Sequence, residues 1–190
     1  TLKDLISEIK ALPENQSYTE RGIPPIFQFH EESKILLVGQ APGRKVEESG
    51  IPFHDLSGKR LMEWMGISEE IFYGKSISII PMDFYYPGKG KSGDLPPRKG
   101  FAEKWHPQIL ASLPNIELTI LIGQYAQKYY LPQNKLNVTE TVKNYRIFLP
   151  HFLPLVHPSP RNQLWLAKNP WFVQEVIPAL QQRVKQILTR

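Results

Sequence analysis

Apolar and polar residues alternate along the chain in blocks that predict strands and helices in turn. Short apolar runs predict buried strands at 35–38, 76–80 and 117–122. Of two further apolar runs, 146–149 and 153–156, at least one supplies the last strand. Apolar residues at helical spacing predict helices over 2–12, after a cap at Ser57, over 100–113 and 124–131, and in a closing segment that begins at Asn169 and Pro170.

Alternating strands and helices are typical of the α/β class. We therefore expect a single three-layer domain over residues 1–190, with a central, mostly parallel four-stranded sheet flanked by helices. Residues 1–34 are predicted to form an N-terminal helix and a polar, proline-punctuated segment that wraps the surface. No internal repeat and no linker interrupts the pattern.

The composition narrows the possible chemistry. The chain carries a net charge of +5 with a sequence pI near 9.3. This charge is equally consistent with an anionic partner such as nucleic acid and with a positive surface that only keeps the protein in solution. It has no cysteine, so disulfides, thiolate catalysis and iron–sulfur ligation are excluded. The five histidines show no paired spacing, and we expect neither a metal nor a cofactor.

Targeting signals are not evident. No apolar run approaches the ~20 residues that a membrane span needs, and the first residues lack the charged-then-apolar pattern of a signal peptide. The expectation is a cytoplasmic protein without membrane contact, acting as a monomer.

Two loops that follow predicted strands carry the candidate chemistry. The first is Gly39-Gln40-Ala41-Pro42-Gly43, where small residues let backbone N–H groups face a ligand. The second begins at His157 and is stiffened by Pro158 and Pro160. Loops at the carboxyl ends of parallel strands converge on one crevice, so the sequence predicts that these two face each other.

The predicted loop over 81–99 is long and rich in Gly, Pro and Lys. Lys89, Lys91 and Arg98, together with Tyr85 and Tyr86, are typical of a mobile basic and aromatic arm on a nucleic-acid backbone, although a solvated loop fits equally well. The glycine spacing and the following Pro-rich segment exclude a nucleotide-hydrolysing phosphate loop.

The order of these pieces resembles the uracil-DNA glycosylase superfamily. The similarity is greatest to the family 4-like branch, whose first motif is Gly-Glu-x-Pro-Gly, followed by acidic residues, Gly-x-Pro-Phe, a further Gly and, late in the chain, His-Pro-Ser. The matching positions are 39–43, 47–48, 50–53, 58–61 and 157–159, and the resemblance covers most of the chain.

The resemblance implies a role for each motif. Such enzymes flip a base out of the DNA stack and cleave its N-glycosidic bond. The Gln40 and Ala41 backbone would hold the base, and Phe53 would stack on it. His157 would donate a hydrogen bond to the oxygen on which negative charge develops. Gln40 and His157 are therefore the catalytic candidates.

The same resemblance implies DNA, single- or double-stranded, as the partner. Ser159, Arg161 and Asn162 would lie on the loop that enters the DNA, and the basic residues of 81–99 would add phosphate contacts.

This chain departs from the family pattern at three places. The water-activating Asp of the best-known uracil enzymes is replaced by Ala41, and Gln40 stands where the close branch has Glu; a neutral amide cannot act as a general base. The base-reading Asn after the second strand is absent, and Asp83 is the nearest polar candidate. The cluster cysteines of the close branch are missing, so packing must stabilise the N-terminal region.

Three hypotheses follow. The leading one is a monofunctional DNA glycosylase acting on a damaged or deaminated base such as uracil. The second is a catalytically weak or inactive relative that binds DNA or a free nucleobase. The third is an enzyme acting on a small nucleoside.

Overall fold

Six strands form two sheets in the computed structural model, which describes residues 1–190. The strands are β1 (Ile35–Val38), β2 (Ile77–Ile79), β3 (Lys89–Gly90), β4 (Gly93–Asp94), β5 (Leu118–Ile122) and β6 (Phe152–Leu155). The order β2-β1-β5-β6 makes a four-stranded sheet in which every pairing is parallel, and β3 and β4 form a separate antiparallel hairpin.

Ten α-helices surround the sheet. They are α1 (Leu2–Ala11), α2 (Gln16–Glu20), α3 (Arg44–Ser49), α4 (Leu56–Met65), α5 (Glu69–Phe72), α6 (Phe101–Ala111), α7 (Gln124–Tyr130), α8 (Val138–Lys143), α9 (Gln163–Lys168) and α10 (Ile177–Leu188). No helix combines the length and the apolar character needed to cross a membrane.

Helices cover both faces of the central sheet and bury it. Since successive side chains of a strand point to opposite sides, each strand contributes to two cores. In β1, Ile35 and Leu37 join the core formed with α4, α5, α8 and α10, whereas Leu36 and Val38 join the core formed with α1, α2, α6 and α7. Helices on both faces of a parallel sheet make three layers, which confirms the predicted fold class.

The N-terminal region is held by packing and polar contacts. Tyr18 of α2 stacks on Tyr85 with ring centroids 4.4 Å apart, and its hydroxyl donates to the Tyr86 carbonyl at 2.6 Å. Arg98 donates to the Glu14 carbonyl at 2.9 Å. These contacts join residues more than sixty positions apart in the chain and tie the N-terminal segment to the rest of the domain.

The last strand and the long loop were the ambiguous parts of the sequence pattern. The last strand is Phe152–Leu155, whereas Tyr145–Ile147 forms a 3₁₀ turn and not a strand. The predicted basic and aromatic arm over 81–99 is wrong for Tyr85, because Tyr85 and its neighbour Phe84 are fully buried. Farther along the same segment, β3 and β4 form a hairpin on which Lys89 and Lys91 are exposed.

Helix boundaries also differ in detail. The side chain of Asp55, not Ser57, caps α4 by accepting from the Gly58 amide at 3.0 Å. Pro107 lies inside α6 without ending it. The closing segment winds as a π-helix over Phe172–Val176 directly before α10, which carries Pro178 in its first turn.

Candidate functional site

A cleft of about 650 Å³ opens beyond the carboxyl ends of β1 and β6. Its walls come from the loop after β1, the segment that leads into α4, the β3–β4 hairpin and the loop after β6. Among the residues predicted for the site, the structure brings together Gln40, Ala41, Phe53, His157, Ser159 and Arg161. Loops that lie more than a hundred residues apart in sequence therefore share one concave surface, as their positions after parallel strands predict.

The loop after β1 presents free backbone donors to this cleft. The carbonyls of Gly39 and Gln40 accept from the amides of Met82 at 2.8 Å and Asp83 at 3.1 Å, which fixes the loop. The amides of Gln40 and Ala41 have no hydrogen-bond partner within the protein. Because both residues line the cleft, their N–H groups are available to acceptor atoms of a bound ligand.

Phe53 is held in an unusual backbone conformation at the cleft wall. Its φ of +59° lies in the left-handed region, which non-glycine residues rarely adopt. A Cβ on Gly58 would stand 1.7 Å from the Phe53 carbonyl oxygen, so only glycine fits there. On the other side, the Tyr73 hydroxyl donates to the Pro52 carbonyl at 2.7 Å. The conformation is thus determined by its neighbours, which is typical of functional positions.

The Phe53 ring lies against the floor of the cleft. A Cβ on Gly39 would come within 3.1 Å of Cζ of this ring. Its edge contacts Phe72 of the core, with ring centroids 6.1 Å apart. The ring is partly exposed on the cleft side, so it provides a flat apolar surface on which a planar ligand can stack.

His157 stands directly after β6 with its ring mostly buried. The Asn162 side chain donates to the His157 carbonyl at 2.6 Å and fixes the loop backbone. Nδ1 is buried without a hydrogen-bond partner, which leaves Nε2 as the ring nitrogen that reaches the cleft. Burial lowers the pKa of His157, while the nearby carboxylates of Asp55 and Asp94 act in the opposite direction. The imidazole is therefore neutral at pH 7 and can act as a hydrogen-bond donor.

The mouth of the cleft carries three basic and two acidic side chains. Arg44, Lys45 and Arg161 line it, together with the two carboxylates of Asp55 and Asp94. Arg161 packs across to the hairpin, since a Cβ on Gly93 would lie 3.0 Å from its Nη1.

Asp83 is not a cleft residue, which corrects its predicted role in reading a base. Its side chain is fully buried and accepts four hydrogen bonds, one from the Tyr85 amide at 3.0 Å and three from Arg98 at 2.8–3.0 Å. Every carboxylate lone pair with good geometry is thus used inside the protein. From its position after the second strand, Asp83 was predicted to face a base. Its actual partner, Arg98, lies fifteen positions farther along the chain, and no local pattern indicates that the two side chains meet.

Arg98 is the other half of this pair, which corrects its predicted role as a phosphate ligand. Its guanidinium lies 5.2–5.4 Å from the ring centroids of Tyr18, Tyr85 and Phe101. Cation–π contacts and the ion pair with Asp83 commit the side chain to the structure. Lys89 and Lys91 remain exposed on the hairpin, where a phosphate backbone can reach them.

Four charged residues of the cleft were not predicted from the sequence. Arg44 and Lys45 follow the glycine loop directly, Asp55 begins α4, and Asp94 lies on the hairpin. Only the first two had a usable signal, namely basic residues next to a motif already singled out. The two aspartates come to the cleft through the turn at Phe53 and the hairpin, which no local pattern indicates.

The side chains of this protein do not form a site for a metal ion or an iron–sulfur cluster. Nowhere do three or more His, Cys, Asp or Glu side chains cluster as metal ligands. A cysteine-ligated iron–sulfur cluster needs thiolates, and the chain has no cysteine to supply them.

The fold and the cleft together define a three-layer α/β protein with a stacking surface, free backbone donors and a neutral histidine around one pocket. The chain belongs to the Uracil DNA glycosylase superfamily, whose family profile matches residues 26–181. It is also similar to the solution NMR structure of a protein from Methanosarcina acetivorans that is provisionally described as a uracil DNA glycosylase. That likeness has 14% sequence identity and a TM-score of 0.47, and covers 84% of this chain and 98% of the other.

Proposed function

We propose that this protein is a monofunctional DNA glycosylase that hydrolyses the N-glycosidic bond of a base flipped out of DNA. The observation that carries the proposal is the meeting of Phe53, the free amides of Gln40 and Ala41, and the neutral His157 in one cleft. A stacking ring, backbone donors and a positioned imidazole are what a flipped base needs to be held by its face and its edges.

The proposed chemistry concentrates on the departing base. As the bond between C1′ and the base nitrogen breaks, its electron pair moves into the base and the sugar becomes an oxocarbenium-like cation. Nε2–H of His157 donates a hydrogen bond to the base oxygen on which this charge grows. The bond strengthens only as the transition state forms, so it raises turnover more than ground-state affinity.

Water capture follows without a carboxylate on the glycine loop. Ala41 carries no polar group, and the neutral amide of Gln40 can orient a water molecule through hydrogen bonds but cannot take its proton. The proton released when water adds to C1′ passes to solvent. We therefore propose that bond breaking, assisted by His157, is the step that the protein accelerates most.

DNA is the proposed partner because of the charge around the cleft mouth. Arg44, Lys45 and Arg161 line the mouth, and Lys89 and Lys91 stand exposed on the adjacent hairpin. Phosphates on both sides of the flipped nucleotide would contact these side chains, and binding would weaken steeply as salt rises.

The test is release of a base from oligonucleotides that carry uracil, hypoxanthine or xanthine in single- and double-stranded form. We expect abasic sites with the wild type and a loss of about 10²–10³ in single-turnover rate for His157→Ala, with DNA affinity unchanged within a factor of about three. His151→Ala is the matched control, because His151 is exposed at the opposite end of β6. A His157→Ala variant with wild-type turnover would remove His157 from the mechanism.

A second candidate function has one observation in its favour. No carboxylate lies on the Gly39–Gly43 loop, and Asp83 is committed to Arg98. A relative that binds DNA or a free nucleobase without cleaving it would show the same salt-dependent affinity. The two functions separate in the assay above, since the binding protein releases no base even with enzyme in large excess.

A further inference from the structure

Asp94 places an acidic side chain in a hairpin whose other charged residues are basic. The hairpin carries Lys89 and Lys91, and Asp94 pairs in register with Lys89. Near a phosphate backbone a carboxylate costs affinity, so its presence at the cleft mouth calls for a specific partner. Asp94 lines the cleft, unlike Asp83.

The carboxylate points at the base-holding loop. A Cβ on Gly43 would lie 3.6 Å from Oδ2 of Asp94, so the absence of a side chain at Gly43 leaves space in front of this oxygen. Oδ1 has a single long contact, 3.5 Å from the Tyr86 hydroxyl, and Oδ2 has no hydrogen-bond partner. One face of the carboxylate is therefore open to a ligand in the cleft.

The hairpin is held in place over the cleft. The Leu95 amide donates to the Gly88 carbonyl at 2.8 Å and closes the base of the hairpin. Gly93, directly before Asp94, lies against the guanidinium of Arg161 on the opposite wall. Asp94 is thus presented on a fixed element, which hydrogen-bond recognition of a base edge requires.

A carboxylate discriminates among bases because it only accepts hydrogen bonds. The ring N–H of uracil and the N1–H of xanthine each lie between two carbonyls, so the second carboxylate oxygen would face a carbonyl oxygen. The N1–H of hypoxanthine has a carbonyl on one side and only a C–H on the other. One carboxylate oxygen can therefore accept from this N–H while the second meets no repulsion.

We propose that Asp94 reads the edge of the flipped base and makes the site prefer hypoxanthine to uracil and xanthine, because only in hypoxanthine does the second carboxylate oxygen avoid a carbonyl. The inference rests on the proposed glycosylase function. The cleft volume of about 650 Å³ is sufficient for a purine nucleotide, and sites for small ligands commonly span roughly 300–1,000 Å³.

The test compares kcat/KM for the release of hypoxanthine and of uracil from otherwise identical oligonucleotides. Three proteins are measured, namely the wild type, Asp94→Asn and Glu70→Gln. The amide of Asn both donates and accepts, so it matches uracil and loses its advantage on hypoxanthine. We expect the wild type to prefer hypoxanthine, and Asp94→Asn to shift the hypoxanthine-to-uracil ratio toward uracil by about tenfold or more. Glu70, an exposed carboxylate on α5, controls for the change in net charge.

The outcomes separate the two proposals. A wild type that releases uracil but not hypoxanthine, or a ratio unchanged by Asp94→Asn, overturns the role of Asp94 and leaves the glycosylase function standing. An equal loss on both bases also overturns it, because it would place Asp94 in the chemical step. A wild type that releases no base overturns both proposals together. Because the Asp94 side chain is exposed, equal melting temperatures are expected for all three proteins.

Discussion

The ring of Phe53 lies so close to Gly39 that a Cβ on Gly39 would stand only 3.1 Å from its Cζ. Gly39→Ala would therefore displace the ring by a few tenths of an ångström without entering a forbidden backbone region. We predict that base release falls about tenfold while the free energy of unfolding changes by less than about 1 kcal/mol.

The measurement is single-turnover kinetics beside urea unfolding, repeated in a Phe53→Leu background. If Gly39 acts through the aromatic ring, the second substitution removes most of the effect of the first. Additive losses would mean that Gly39 contacts the ligand itself.

The Asp83–Arg98 pair makes a contrasting prediction. The carboxylate is fully buried and the arginine side chain is 26% exposed, so Arg98→Met leaves a buried charge without its partner. We expect the free energy of unfolding to fall by about 3–5 kcal/mol, with little change in the salt dependence of DNA binding.

Urea unfolding and DNA titrations check this prediction, with Lys91→Met as the control. The control should retain full stability and lose part of its DNA affinity. The opposite pattern, a stable Arg98→Met protein that binds DNA poorly, would restore Arg98 as a phosphate ligand.

His106 makes stability depend on pH. It is fully buried in α6, with Nε2 2.7 Å from the Pro81 carbonyl and Nδ1 2.7 Å from the Tyr130 hydroxyl. Burial lowers its pKa to about 4. The Pro81 carbonyl can only accept, so Nε2 carries the proton of the neutral ring and Nδ1 accepts from Tyr130.

Because the pKa of His106 is lower in the folded protein than in the unfolded chain, the unfolded chain binds the extra proton first. The contribution of neutral His106 is complete above about pH 6.5 and is lost as the pH falls toward 4, on the order of 3 kcal/mol in all. Urea unfolding of wild type and His106→Asn at pH 7.5 and 4.5 measures it. If the difference in unfolding free energy between the two proteins were the same at both pH values, the predicted contribution of His106 would be contradicted.

The basic residues at the mouth of the cleft predict how strongly DNA affinity depends on salt, because each phosphate contact adds to the salt dependence. If Lys45 and Arg161 each contact one phosphate, Lys45→Gln and Arg161→Gln should each reduce the slope of log Kobs against log [KCl] by about 0.7–0.9. Lys135→Gln, at a position that does not line the cleft, should leave the slope unchanged. A slope unaffected by either cleft substitution would place the DNA elsewhere on the surface.

The sequence was sufficient for the parts of the fold that depend on local patterns. The apolar run of β1 and the loops headed by Gly39 and His157 are contiguous signals, and their convergence follows from parallel topology. The ambiguity between 146–149 and 153–156 could not be resolved locally, because both runs are apolar and only pairing with β5 selects one.

The errors lie where distant residues meet. In the sequence, Asp83 resembles a ligand-binding residue and Arg98 a phosphate-binding residue. Only the three-dimensional structure shows that the two side chains pair with each other, with the Asp83 carboxylate fully buried. Asp94 was missed for the opposite reason, since nothing in a Gly- and Lys-rich segment indicates that one acidic residue turns toward Gly43.

The strand order has a thermodynamic consequence. β5 separates β1 from β6, although Gly123 at its carboxyl end does not line the cleft. The loops after β1 and β6 form the two principal walls, and β5, which lies between these strands, sets their relative position without lining the cleft. The binding surface therefore exists only while the whole sheet is assembled. Any ligand that occupies the cleft must then raise the unfolding free energy by RT ln(1 + [L]/Kd). The melting temperature of this protein can therefore report the occupancy of the cleft directly, with or without turnover.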